Sequence, residues 1–98
     1  MAEDVNDLTI EFVEDGETVV KELDKAILTK GAWATLMFKY QDWDRRKEEL
    51  GPVKFTIRRY RKMRGEYRQQ AKFNISSLDQ AGKIVEVLNG WIAEAEKE

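Results

Sequence analysis

The sequence predicts an α+β domain: a twisted antiparallel β-sheet followed by one C-terminal amphipathic helix, with two copies paired as a homodimer. Three observations carry this reading. Apolar and polar residues alternate over Ala32–Trp43 and again over Val53–Ile75, the dipeptides Asp15-Gly16 and Arg64-Gly65 mark turns, and three-and-four spacing takes over after Ser77. A period of two belongs to half-buried strands, and a change to 3.6 marks a helix. The 98 residues, 42% of them apolar, fit one domain with one core. Within it, residues 1–24 read as an acidic hairpin or extension, 25–75 as the sheet and 77–96 as the helix.

Leu8, Ile10 and Phe12 alternate with Thr9 and Glu11, and Thr18, Val19 and Val20 follow Asp15-Gly16, so the opening segment reads as a hairpin. Residues 19–28 fit two elements: Val20, Leu23 and Ile27 lie on one face of a short helix, whereas the β-branched content favours a strand. From Ala32 to Trp43, the face of Ala34, Leu36, Phe38 and Tyr40 is expected in the core, and Trp33, Thr35, Met37, Lys39, Gln41 and Trp43 lie on the other. Asp44–Glu49 is a charged connector, and Gly51-Pro52 places the next strand's start at Val53.

That strand has an oily side, Val53, Phe55 and Ile57, and a polar side, Lys54, Thr56, Arg58, Tyr60 and Lys62. After Arg64-Gly65, Tyr67, Gln69, Ala71, Phe73 and Ile75 alternate with Arg68, Gln70, Lys72 and Asn74. Ser77 and Gln80 form a capping-box signal ahead of the stripe Ala81, Ile84, Val85, Leu88, Trp91, Ile92 and Ala95. The stripe is expected to meet the sheet, a second helix, or both, so the helix closes one side of the sheet and Ile84, Leu88, Trp91 and Ile92 serve a dimer interface.

Charge is segregated. Between Met1 and Asp24 nine acids stand against Lys21 alone, while between Lys54 and Lys72 eight bases stand against Glu66 alone. Such asymmetry points to a patch made for anions. With one face of the Val53–Ile75 hairpin on the core, the other gathers Lys54, Arg58, Lys62, Arg68 and Lys72 around Tyr60, joined by Lys39 and Trp43 and, if it turns that way, Trp33. Cations along a phosphate path and flat side chains for unstacked bases are what single-stranded nucleic acid requires. A solvated sheet face is the plain alternative, but such a face ordinarily mixes both charge signs.

The chain has neither cysteine nor histidine, which removes disulfides, thiolate nucleophiles, Cys/His zinc sites and imidazole chemistry. Asp42, Asp44, Glu48 and Glu49 read as solvated surface rather than as a metal or acid–base site. The expectation is therefore a non-enzyme with no cofactor, no metal and no small-molecule substrate. No apolar run has membrane-span length and Met1–Asp7 is acidic, so the chain reads as cytoplasmic without a membrane partner.

The order of these elements resembles the positive-cofactor-four family of transcriptional coactivators and its bacterial relatives. The resemblance spans Ile27–Trp91 and lies in K-F-T-I-R-R-Y (Lys54–Tyr60), R-G-E (Arg64–Glu66), F-N-I-S (Phe73–Ser76) and the helix. It implies a homodimer whose paired β-surfaces bind single-stranded DNA, with Lys54, Arg58, Tyr60, Arg68 and Lys72 on the matching basic strand positions. Gln69-Gln70-Ala71-Lys72-Phe73 departs from the family's Lys-Gly step, and the first 24 residues have no counterpart in it. The functional expectation is a transcription- or DNA-maintenance-related module for single-stranded nucleic acid, DNA ahead of RNA. The alternative is an interaction module docking an acidic protein.

Overall fold

The computed structural model describes residues 3–97; Met1 and Ala2, which open the acidic segment, and Glu98 lie outside the described residues. A 3-10 turn at Val5–Asp7 precedes β1 (Phe12–Glu14), β2 (Glu17–Thr29), β3 (Trp33–Asp44), β4 (Glu49–Leu50), β5 (Lys54–Met63), β6 (Glu66–Ile75) and α1 (Leu78–Glu96). Every pairing is antiparallel, in the order β1-β2-β3-β5-β6, with β4 against the end of β3. The fold is α+β, a curled antiparallel sheet followed by one helix, and its shortest dimension is 17 Å.

Both expected turns form. Asp15 and Gly16 have φ of 51° and 81°, and Arg64 and Gly65 of 53° and 81°. Two successive left-handed residues give the two-residue hairpin turn whose twist matches its strands. Residues 19–28 are strand, within β2. Leu23 and Leu28 are extra residues relative to β3, two bulges that bend β2 around its neighbour.

Residues directly opposed in an antiparallel ladder share a face of the sheet. Ala34, Leu36, Phe38 and Tyr40 are opposed by Tyr60, Arg58, Thr56 and Lys54 on the inner face. Trp33, Thr35, Met37 and Lys39 are opposed by Arg61, Arg59, Ile57 and Phe55 on the outer face. The alternation along β3 and β5 is as read, but the faces combine the other way: Phe55 and Ile57 join Met37, not Leu36 and Phe38.

The connector sets this register. Asp44 Oδ1 accepts from the backbone N–H of Arg46 and Lys47 at 2.9 and 3.2 Å, β4 folds back on β3, and the Gly51 N–H donates to Asp42 O at 2.8 Å. β5 therefore enters with Lys54 opposite Tyr40, where its ammonium meets Asp42 Oδ1 at 3.2 Å. The polar residue this turns inward is satisfied. Fully buried Thr56 donates to Asn74 Oδ1 at 2.7 Å and accepts from Arg58 Nε at 3.1 Å.

The core is closed by the N-terminal segment rather than by the helix. Val5 and Leu8 pack on Ala34, Leu36, Phe38, Tyr60 and Tyr67, with Ile10 at the margin. Lys25 Nζ donates to the carbonyls of Asn6 and Leu8 at 2.5 and 2.7 Å. Glu22 Oε1 accepts from the Thr9 hydroxyl at 2.6 Å and from the Ile10 N–H at 3.3 Å. Leu8 and Ile10 thus belong to a strap across the inner face, and the hairpin strand begins only at Phe12. The bent β2 supplies both clamps, Glu22 and Lys25, from one side of the sheet.

Ser77 caps α1 by accepting from the Gln80 N–H at 3.1 Å, and Gln80 Oε1 accepts from the Ser76 N–H at 3.1 Å. The amphipathic stripe does not cover the sheet. No described residue of α1 is buried, and Trp91 is 64% exposed. Among the described residues, no helix is long and apolar enough to cross a membrane.

Candidate nucleic-acid interface

The β5–β6 hairpin carries most of the positive charge, and one bulge distributes it. Pairing passes from Arg59↔Ala71 to Tyr60↔Gln69, so Gln70 is an extra residue on β6. An odd insertion exchanges the faces of every residue beyond it. Tyr67 and Gln69 turn inward, and Arg68 turns outward.

Arg68 consequently stands opposite Arg61, which stands opposite Trp33. The adjoining row is Thr29, Thr35, Arg59 and Ala71. Arg59 Cζ lies 4.3 Å and Arg61 Cζ 5.3 Å from the Trp33 ring centroid. An indole 41% exposed is thus layered with guanidinium groups. Neither row contains an acid; Glu66 follows in the next row, opposite Met63 at the hairpin tip.

The residues expected to form one basic face fall into separate groups. Arg58 and Lys72 oppose each other on the inner face, where Arg58 Nη1 also donates to Gln69 Oε1 at 2.8 Å. Lys54 shares that face but is paired with Asp42. Lys62 lies on it nearer the tip, its ammonium 5.4 Å from the Tyr67 ring centroid. Lys39 and Arg68 lie on the outer face, with Lys39 opposite Asp24 and Phe55.

The two aromatic residues expected as stacking surfaces are placed differently, Tyr60 buried and Trp43 38% exposed. Tyr60, expected as a stacking surface, is 5% exposed within the core beneath the strap. Burial raises its phenol pKa, with Arg58 lowering it and Glu22 raising it by smaller amounts. Trp43 pairs with Leu50 and lines a shallow groove with Glu14, Asp15 and Glu17, acids that repel phosphate, beside Arg45. Sequence alternation assigned Tyr60 to the polar side of β5 correctly; the register then carried that side into the core.

Arg59 and Arg61 are not among the residues that the strand pattern alone assigns to the basic face. Their signal was present, because Trp33 and the two arginines occupy alternate positions on strands expected to pair, but recognising it required the register. The carboxylates set aside as surface have local roles, Asp42 with Lys54 and Asp44 in its turn. Among the described residues no group of three acids converges in a metal-holding arrangement. Ile84 is half-buried, and Leu88, Trp91 and Ile92 are exposed along α1. No family model, curated protein or solved structure matches this chain.

Proposed function

We propose that the chain binds single-stranded nucleic acid at the outer, tip-proximal end of its sheet, with two copies held together through their helices. The observation that carries the reading is the exposed Trp33 indole layered with Arg59 and flanked by Arg61 and Arg68. Guanidinium groups neutralise phosphate, and an indole or guanidinium plane accepts an unstacked base; each base–aromatic stack is worth about 1 to 3 kcal/mol. Stacking is available to every base, so the expected preference is for single strands rather than for a sequence. The action is stoichiometric binding without a cofactor.

Pairing of two copies is supported by apolar surface that one chain leaves open. Leu88, Trp91 and Ile92 are exposed on α1, and the outer-face row Ala26, Met37, Ile57 and Phe73 ends in a Phe73 that is 53% exposed. The helix departs from β6 at Ile75, the end opposite the Arg64-Gly65 turn. The helices through which the two copies are proposed to pair thus begin at the end of the sheet away from Trp33 and its arginines.

The direct test is a fluorescence-anisotropy titration with a single-stranded oligonucleotide, the matching duplex and an acidic polypeptide at two salt concentrations. The single strand should bind most tightly and lose affinity steeply with salt. Equal affinity for all three would identify a general anion patch, the property expected of a module that docks acidic proteins.

A further inference from the structure

The β6 bulge places two like-charged pairs of one hairpin on opposite faces: Arg61 with Arg68 outside, Arg58 with Lys72 inside. Opposed like charges destabilise a ladder unless an anion lies between them. None of the four belongs to an ion pair among the described residues, where the pairs are Lys54–Asp42 and Lys83–Asp79. Arg58 is moreover fixed in position. Its Nε donates to Thr56 Oγ1 and its Nη1 to Gln69 Oε1, neutral acceptors that orient the guanidinium while leaving its charge and three of its five N–H donors free.

The two pairs are joined by an open edge. β6 ends the sheet, and Gln69, Gln70 and Ala71, the residues between Arg68 and Lys72, are exposed. Four residue steps span about 13 Å at about 3.3 Å each. On the inner face the cleft beside Tyr60 and Tyr67 is rimmed by Glu3 and Asp7, which repel phosphate from that region. A polyanion crossing the edge is directed instead toward Arg58 and Lys72.

We infer that a single strand seated on Trp33 continues over the free edge of β6 and places a phosphate between Arg58 and Lys72 on the inner face, so that the nucleic acid hooks around the hairpin. This rests on the proposed single-strand reading and adds a second phosphate subsite to it. The bulge at Gln70 is its structural basis, since an unbulged β6 would carry Arg68 and Lys72 on the same face.

Oligodeoxythymidylates of about 4 and about 12 nucleotides, toward the short and the long end of the about 4 to 16 that a single-strand-binding fold covers, distinguish the arrangements. Arg68→Glu should weaken binding of both lengths. Lys72→Glu, at an exposed position, should weaken only the longer and lower its salt slope by about 0.7, one phosphate contact on a single strand. Circular dichroism and thermal melting verify that both variants keep the fold. Lys72→Glu leaving both lengths unaffected would overturn the inference and assign Lys72 to protecting the edge from other strands. Equal weakening of both lengths would overturn it in favour of one continuous site. Failure of the wild-type chain to bind either length at low salt would remove the single-strand reading itself, an outcome distinct from the other two.

Discussion

The Arg59 guanidinium lies 4.3 Å from the centre of the Trp33 indole on the outer face, joining two strands whose contact depends on the register set by the Asp44–Leu50 connector. Charge and flatness are thereby combined at one point, and the two contributions can be separated by substitution. Trp33→Ala should weaken single-strand binding by about 1 to 3 kcal/mol with little change in salt slope. Arg61→Glu should weaken it and lower the slope by about 0.7. Titrations across a salt series measure both; a Trp33→Ala protein that binds as wild type would remove the stacking role.

Tyr60 is expected to behave as a core residue. Tyr60→Ala should destabilise the fold by about 3 to 5 kcal/mol, seen as a lower urea midpoint, whereas Tyr60→Phe should fold and bind single strands normally. Burial raises the phenol pKa above its ordinary 10.0, so the folded state holds the proton more tightly than the unfolded state does. The resulting stability is fully present below pH 10 and is lost as pH rises through the folded value. Urea titrations at neutral and at high pH should show a smaller alkaline loss in Tyr60→Phe.

The strap should contribute stability in proportion to what it buries and to what holds it. Leu8→Ala is expected to cost about 2 to 5 kcal/mol. Lys25→Met, which removes the ammonium donating to Asn6 O and Leu8 O, should cost about 1.5 to 3 kcal/mol and speed amide exchange over residues 5–10. Unchanged exchange there would mean that apolar packing alone retains the strap.

Leu88→Lys and Trp91→Glu should abolish self-association. Because these side chains are exposed within one chain, the variants should retain β-sheet circular dichroism while light scattering reports monomers. A wild-type chain that remains monomeric at high micromolar concentration would contradict helix-mediated pairing.

The sequence was informative wherever a local rule decides structure. Asp15-Gly16 and Arg64-Gly65 specify hairpin turns, Ser77 and Gln80 start the helix, and the Leu36/Phe38 alternation marks the inner face. It was uninformative wherever two strands must be matched. Periodicity separates Arg58 from Ile57, but it does not determine which of them faces Leu36. That depends on the β4 fold-back and the Gly51 N–H bond to Asp42. The Gln70 bulge has no marker in its residue types, so alternation placed Arg68 beside Lys72 on one face. The apolar alternation of Leu8 and Ile10 suits a strap packed on a sheet as well as it suits a strand within one. Tyr60 was ambiguous because its body is apolar and its hydroxyl polar, which is compatible with either face until the register is known.

The most direct measurement of the central claim uses Trp33 as its own reporter. In a Trp43→Phe, Trp91→Phe protein, Trp33 is the sole indole. Titration with single-stranded oligonucleotide, followed simultaneously by indole emission and by anisotropy of a labelled strand, should show saturable quenching of Trp33 with the same midpoint as binding. Saturable binding with no change in Trp33 emission would contradict the claim that bases stack on this surface.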